Sequence, residues 1–298
     1  MVSSRFRPLA LSVAALALVL GGCGGATDRS DTPKLVIGSQ QYYSNEIIAE
    51  LYAQALETGG YTVDRQYQIG QREAYLPEME TGAIDLIPEY SGNLLQYYDK
   101  ETKATSPADV LTALADVLPS GLRPLAASAA TDQDSYNVTA ALAERYGLVS
   151  LADLTKVPGP VTVAANSELA TRAYGPAGLK SFYGVDATVV PVEDSGGPLT
   201  VKALVDGTVQ AADIYSADPA IATSGFVTLT DPKNLILPQN VVPIVSARVD
   251  AAAADIIDRV SAKLDTAALV AMDARSVNEQ ASSAEIAKDW LTDQGLLG

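Results

Sequence analysis

Ile84-Asp85-Leu86-Ile87-Pro88-Glu89-Tyr90-Ser91-Gly92-Asn93 begins as a short apolar run, breaks at Pro88 and continues through Glu-Tyr-Ser-Gly-Asn. The run fits the end of a buried strand. Ser91 or Asn93 is placed to cap a helix starting at Leu94. A tyrosine and several short polar groups therefore stand where a strand ends and a helix begins. In open α/β sheets, ligands bind at that place. Packing under a turn is the other role open to Tyr90.

The chain on either side repeats this alternation. Upstream, Lys34 to Gly38 reads as a first strand, followed by the polar loop Ser39-Gln40-Gln41-Tyr42-Tyr43. Ser44 is placed to cap a helix whose apolar positions include Ile47, Ile48, Leu51 and Leu56, and Gly59-Gly60 stops it. Tyr61 to Gln68 reads as a second strand and Glu73 to Met79 as a helix. The order β-α-β-α-β-α predicts a right-handed parallel unit.

Downstream, Ser106-Pro107-Ala108-Asp109 carries an N-cap, a proline at the first helical position and a capping-box acid. Leu122 to Ala127 reads as a strand, and Thr131 to Val138 leads into another. A helix over Ala140 to Tyr146 ends at Gly147, and Val161 to Ala165 is a buried strand. Asn166-Ser167-Glu168 begins a helix, with Arg172 one turn on. Val209 to Ile214 is a strand with Tyr215 just past it, and Ser216 and Asp218 follow. Phe226 to Leu229 then returns the chain toward its first half, and the tail from Asp250 is helical with a capping box at Ser282–Glu285.

Composition removes several classes of function. The 298 residues include no histidine, which excludes Ser-His-Asp and Cys-His catalysis and any His-ligated metal. A single cysteine excludes an internal disulfide and a cysteine-rich metal site. Without Arg5 and Arg7 of the leader, 18 basic residues face 36 acidic ones, or −18, and so acidic a surface repels nucleic acid. Tyrosine outnumbers phenylalanine 14 to 3, and a π face with a hydroxyl suits pockets for cations or polar ligands.

The start of the chain reads as an address. Arg5 and Arg7 precede an apolar run from Leu9 to Leu20, the pattern of a secretory signal over 1–22. The run ends Leu20-Gly21-Gly22-Cys23, which resembles a lipobox at which Cys23 is acylated. Residues 23–33 then form a small, polar tether to the membrane.

The stretch Asp85 to Asn93 resembles the first-lobe signature of the osmoprotectant-binding proteins, Asp-hydrophobic-x-Pro-Glu-Tyr-[Ser/Thr]-Gly-[Thr/Asn]. These are the solute receptors of importers for glycine betaine, carnitine, choline and related quaternary amines. Further motifs follow in order: Asp134-Ser135-Tyr136, Glu168-Leu169-Ala170-Thr171-Arg172, Tyr215-Ser216-Ala217-Asp218 and Leu237-Pro238-Gln239-Asn240-Val241-Val242-Pro243. The resemblance implies a two-lobed, type II periplasmic-binding-protein-like α/β fold with the ligand cleft between the lobes. Lobe I is expected over 34–130 and 225–298, and lobe II over 131–224.

It also implies site residues. Tyr90, Tyr136 and Tyr215 would wall an aromatic cage, with Asp134 and Asn93 beside it. Gln40, Gln41 and Tyr42 would line the cleft from the first loop. Arg172 would hold a ligand carboxylate, since a planar guanidinium offers two parallel hydrogen bonds. Gln239 stands where the family usually has a further cage tyrosine, so one cation–π wall is expected to be missing. No cofactor is implied; the partners implied are a membrane permease, its ATPase and the lipid on Cys23.

Two other readings remain open at this point. The same fold can bind an amino acid, a polyamine or a flat aromatic compound. A glycoside hydrolase would need a carboxylate pair, and Asp85 with Glu89 or Asp213 with Asp218 are the candidates.

Overall fold

Alternating apolar strands and helices close into two five-stranded sheets. The computed structural model describes residues 34–297; the leader, the tether and Cys23 lie outside them. The first sheet is laid down by β1 (Lys34–Gly38), α1 (Tyr43–Thr58), β2 (Thr62–Gln66), α2 (Arg72–Glu80), β3 (Leu86–Tyr90), α3 (Ser91–Tyr98), α4 (Pro107–Val117) and β4 (Leu122–Pro124). The second is laid down by β5 (Tyr136–Thr139), α5 (Ala140–Tyr146), β6 (Val161–Ala165), α6 (Pro176–Tyr183), β7 (Ala187–Pro191), α7 (Pro198–Val205), β8 (Ala211–Asp213), α8 (Ala220–Thr223) and β9 (Phe226–Thr228). The chain then returns through β10 (Val241–Ser246) and ends in α9 (Ala251–Ser261), α10 (Thr266–Ala274) and α11 (Ser283–Asp293).

The two sheets share one plan. The strand orders are β2-β1-β3-β10-β4 and β7-β6-β8-β5-β9. In each, three strands run parallel and one crossing strand, β10 or β5, runs antiparallel between its neighbours. Helices cover both faces, so the inner strands β3, β8 and β10 are buried on both of their faces, while the edge strands β2, β4, β7 and β9 stay partly exposed. In β3, Leu86 and Tyr90 enter one core with Val241 and Val245 of β10, while Ile87 enters the other with Val242 and Ile244. In the second sheet, Val163 and Ala165 go one way, and Ala164, Ala212 and Ile214 the other. Each buried large apolar side chain contributes roughly 1.5–3 kcal/mol.

Phe226–Thr228 corrects one expected boundary. Instead of returning to the first lobe, β9 pairs with β5 in register Asn137↔Thr228, Val138↔Val227 and Thr139↔Phe226. The chain stays in the second core as far as Leu235 and Ile236, and Leu237 is its first residue in the first lobe's core. The pattern of Phe226–Leu229 gives only a strand, and the edge of β5 is the nearest place to pair it.

The helix caps divide into two groups. Ser106 and Ser282 cap α4 and α11 as expected, accepting from the backbone N–H of Asp109 and Glu285 at 3.2 Å each. Ser44, Ser91 and Asn93 do not cap. The Ser44 hydroxyl donates to Asp132, that of Ser91 to the Pro238 carbonyl, and the Asn93 amide to Asp134. At the cleft these short polar side chains bind the other chain crossings rather than their own helices. Gly92 belongs to the same contact, because a Cβ there would stand 2.6 Å from both Leu237 Cβ and the Pro238 oxygen.

Candidate ligand-binding site

The ends of four parallel strands face one cavity. Gln40 and Tyr42 follow β1, and Tyr90 ends β3. Asn166 and Glu168 follow β6, and Asp213 and Tyr215 sit at and beyond the end of β8. Asp132 and Asp134, on the segment that crosses between the sheets, complete the wall with Asn93, Gln71, Arg72, Leu169, Arg172 and Tyr174. The cavity measures about 430 Å³, its mouth included.

One side of it is aromatic. The rings of Tyr42 and Tyr90 lie 6.3 Å apart at 24°, and Tyr42 meets Tyr215 edge-on at 5.0 Å and 66°. These tyrosines come from both lobes. Burial raises all three phenols above their ordinary pKa, so they stay neutral. The Tyr90 hydroxyl is buried without a hydrogen-bond partner, although Tyr42, Ser44 and Asn45 lie near it. The Gln40 amide nitrogen is equally unpartnered. A buried polar group left free at a cavity wall is a group available to a ligand.

The other side is charged. Arg72 is buried and holds Glu89 through Nε at 2.9 Å and Nη2 at 2.6 Å. Burial works against the guanidinium charge, but Glu89 outweighs it and holds the Arg72 pKa above its ordinary value. Glu89 also accepts from the Tyr75 hydroxyl and from the Tyr90 N–H at 2.8 Å, so the pair fixes the backbone that carries the Tyr90 ring. Arg172 reaches across the cleft to Glu73, with Nη1 at 2.7 Å and Nη2 at 3.1 Å, and lies 6.0 Å over the Tyr97 ring. Among the described residues, no lysine or arginine pairs with Asp132, Asp134, Asp213 or Glu168. Burial pushes the Asp132 carboxyl up to about 6, against hydrogen bonds from the Ala217 N–H and the Ser44 hydroxyl. Burial, and next Asp134, push Asp213 well above the carboxylate range.

Of the residues singled out in the sequence, the structure brings Gln40, Tyr42, Tyr90, Asn93, Asp134, Arg172 and Tyr215 to the cavity. Three others are placed differently. Tyr136 is not a wall: its ring lies in the second lobe's core with Val138, two residues along the same face of β5, and its hydroxyl donates to the Tyr174 carbonyl at 2.8 Å. The cleft begins two residues earlier, at Asp134 on the crossing segment that leads into β5. Gln239 is fully buried behind Asn93, accepting from its N–H at 3.0 Å and donating to its side-chain oxygen. It therefore positions Asn93 rather than facing the ligand. Gln41 points along the cleft's edge and donates to Ser195 of the second lobe at 3.2 Å.

Tyr174 is the aromatic wall that the sequence reading missed. It stands two residues beyond Arg172 in a turn closed by Gly175, where a Cβ would lie 1.9 Å from the Leu169 oxygen. The sequence signal was that Tyr-Gly pair directly after the arginine motif. Of the carboxylates nominated for glycoside hydrolysis, Asp213 lines the cavity and the other three are held by partners. Asp85 accepts from the Val36 N–H at 2.9 Å and the Ser246 hydroxyl at 2.8 Å, Glu89 is held by Arg72, and Asp218 accepts from the Tyr43 hydroxyl at 2.7 Å. Among the described residues no three acidic or cysteine side chains are grouped to hold a metal ion.

A cavity lined from both lobes and walled by tyrosines and carboxylates is the arrangement of a solute receptor. Residues 33–293 match the family described as "Substrate binding domain of ABC-type glycine betaine transport system", and the chain belongs to that family. It is similar to the glycine betaine-binding protein YehZ of Escherichia coli (strain K12), 25% identical over 274 residues that cover 87% of this chain and 90% of that protein. It is similar to the glycine-betaine-binding protein of Pseudomonas aeruginosa at 25% over 292 residues, covering 92% and 93%. In fold it is similar to a solved glycine betaine/carnitine/choline ABC transporter protein, with a TM-score of 0.70 at 19% identity over 89% of this chain and 100% of that one. The two-lobed type II fold expected from the sequence is thereby shown. Among the described residues, no helix is long and apolar enough to cross a membrane.

Proposed function

We propose that the chain is the extracytoplasmic receptor for a quaternary amine, which it delivers to the permease of an ABC importer. The observation that carries this reading is the ring cluster in which Tyr42 of the first lobe stacks with Tyr90 and meets Tyr215 of the second edge-on, at the wall of a cavity rich in carboxylates. A quaternary ammonium has no N–H to donate. Its positive charge is spread over its methyl groups, so it is held by π faces and by negative charge around them, and this wall offers both. The cage joins only when the lobes meet, so binding and closure are one event. The two crossing segments, bridged at Thr131↔Asn240, are the hinge. At the other end of the cavity, Arg172 is positioned to meet the carboxylate of a zwitterionic ligand, which must compete there with Glu73.

Calorimetric titration of the purified protein with glycine betaine, choline, carnitine and a set of amino acids tests this reading. Saturable 1:1 binding of a quaternary amine is expected. Tyr90→Ala and Tyr215→Ala should each weaken it by about 5- to 30-fold, the range of one cation–π wall of about 1–2 kcal/mol. Binding of amino acids alone would overturn it. Anchoring through lipid on Cys23 is part of the same proposal: Cys23→Ser should move the protein from the membrane fraction to the medium.

A further inference from the structure

This inference rests on the receptor reading and concerns how the acidic wall of the cleft is held in place. Among the described residues, Gln68, Ser195, Asn234 and Gln280 have a left-handed backbone without being glycine. Of these, Ser195, with φ of 55°, is the one whose side chain bonds across the cleft. It stands in the loop between β7 and α7, directly before Gly196 and Gly197. A side chain in this conformation costs free energy that a glycine avoids. The next position does hold a glycine, with φ of 82°, where a Cβ would lie 3.1 Å from the Asp213 oxygen. A serine in a place that suits glycine points to a use for its hydroxyl.

The hydrogen bonds around it define that use. Asn166 Nδ2 donates to Ser195 Oγ at 2.9 Å, and Asn166 Oδ1 accepts from the Ser195 N–H at 2.9 Å, so the two residues close a ring. The same Asn166 amide donates to Glu168 at 3.2 Å. Asn166 and Glu168 line the cavity. From the first lobe, Gln41 Nε2 donates to the same Ser195 oxygen at 3.2 Å. A hydroxyl oxygen has two acceptor sites, and here each lobe fills one. Ser195 and Asn166 are both buried. The rest of the loop is held separately: Glu193 accepts from the Ser167 N–H at 3.2 Å, and Asp194 from the Leu199 N–H at 2.6 Å.

We propose that Ser195 is the positioning residue that fixes the Asn166–Glu168 edge of the cavity when the lobes meet. Gln41 arrives with the first lobe and fills the second acceptor site. That holds the serine, and through it Asn166, in the orientation that keeps Glu168 at the wall. A quaternary ammonium has no N–H with which to orient a carboxylate, so the carboxylate must be held by the protein itself. Gln41 and Ser195 meet at the cleft's edge, outside the cavity. They therefore support every quaternary amine alike.

The full chain, Ser195→Gly, Gln41→Ala and the double variant are titrated calorimetrically with glycine betaine and choline, and their thermal unfolding is followed without ligand. Ser195→Gly removes the hydroxyl and the strain together. Relief of strain offsets the lost Asn166 bond, so this variant should unfold within about 3 °C of the parent. Both ligands should nevertheless bind to it about 5- to 10-fold more weakly. A serine with a merely structural role would change stability and leave the affinity of the folded protein as it was. Gln41→Ala should weaken both ligands by about 3- to 10-fold, and the double variant should bind no more weakly than Ser195→Gly, because the bond is already gone. Unchanged affinity in Ser195→Gly, or losses that multiply in the double variant, overturns the inference and leaves the receptor reading standing. A loss confined to one ligand overturns it as well, by placing these side chains on the ligand. If Ser195→Gly does not fold, Gln41→Ala decides alone, and unchanged affinity there overturns the inference. Failure of the unmodified chain to bind either compound overturns both readings together.

Discussion

The two lobes share a sheet plan and present opposite chemistry to the cleft. The first brings neutral rings, Tyr42 and Tyr90, and closes its charges on each other behind them, Arg72 on Glu89. The second lobe and the crossing segment bring carboxylates without cationic partners, Asp132, Asp134, Asp213 and Glu168, around Tyr215 and Tyr174. The same strand ends are thus used twice, once to build a rigid aromatic face and once to build an acidic one. The difference assigns tasks. A charge paired inside a lobe serves the fold, and a charge left facing the cavity serves the ligand.

The sharpest way to break this comparison is to open the first lobe's internal pair. Glu89→Ala leaves the Arg72 guanidinium buried and alone, which costs about 3–5 kcal/mol of stability. Denaturant unfolding measures it. Replacing both residues by apolar ones of similar size, Arg72→Met with Glu89→Leu, should recover most of that loss. If the double variant is as unstable as the single one, the pair does more than neutralise itself.

Asp273 is the exception inside the first lobe. It lies on α10, 1% exposed, with both carboxylate oxygens buried and unpartnered. Burial, and then the charges of Asp132 and Asp218, raise its pKa well above the ordinary value. The folded chain therefore binds this proton more tightly than the unfolded one, and the stability it contributes is lost as pH rises from the unfolded carboxyl range toward the raised value. Asp273→Leu is expected to stabilise the protein by about 1–3 kcal/mol near neutral pH. The gain should shrink as pH falls and level off below about pH 3, where the carboxyl is protonated in both states. Thermal unfolding against pH reads both the size and the sign. A variant less stable than the parent at every pH would show that Asp273 has a partner that the contacts around it do not reveal.

The shared plan was legible in the sequence because it depends on local pattern. Apolar strands of about five residues, the Ser106 and Ser282 caps and the Gly147 stop are all set by neighbours in the chain. Tyr90 and Tyr215 were legible for the same reason, as tyrosines standing at strand ends. What was not legible is what depends on contacts distant in sequence. Ser44, Ser91 and Asn93 look like caps until the crossing segments are placed against them. Tyr136 looks like a wall until the alternation of β5 is fixed, and that phase is set by Val138 and the second core. The pairing of β9 with β5 depends on an edge that forms ninety residues earlier in the chain.

Between the lobes the comparison becomes a question of closure. Tyr43 of the first lobe donates to Asp218 of the second at 2.7 Å. Burial raises the Asp218 pKa, and the Tyr43 hydroxyl opposes that rise. Tyr43→Phe removes the bond, keeps the ring and leaves Asp218 with only the Ala220 N–H as donor. It is expected to weaken ligand binding by about 5- to 10-fold, the equivalent of one hydrogen bond of about 1–1.5 kcal/mol made only when the lobes meet. Titration of the variant measures this. An unchanged affinity would mean that the bond persists in the open form.

The smallest effect is expected at the mouth, where Arg172 of the second lobe meets Glu73 of the first. The side chain of Glu73 is 55% exposed, so solvent screens the pair, and a double-mutant cycle on ligand affinity should return a coupling of only about 0.2–1 kcal/mol. The variants also separate two roles for Arg172. As a latch it supports every ligand equally, and Arg172→Ala weakens choline and glycine betaine by the same factor. As a carboxylate clamp it supports glycine betaine alone, and the loss falls mainly there. Glu73→Gln distinguishes the two from the other side. It frees the guanidinium, so a clamp binds glycine betaine more tightly in this variant, whereas a latch loses affinity for both ligands. The geometry permits either outcome, because Glu73 engages only the two Nη atoms and Arg172 still lines the cavity. The first lobe thus decides, through one exposed carboxylate, whether the cation of the second faces its partner lobe or the ligand.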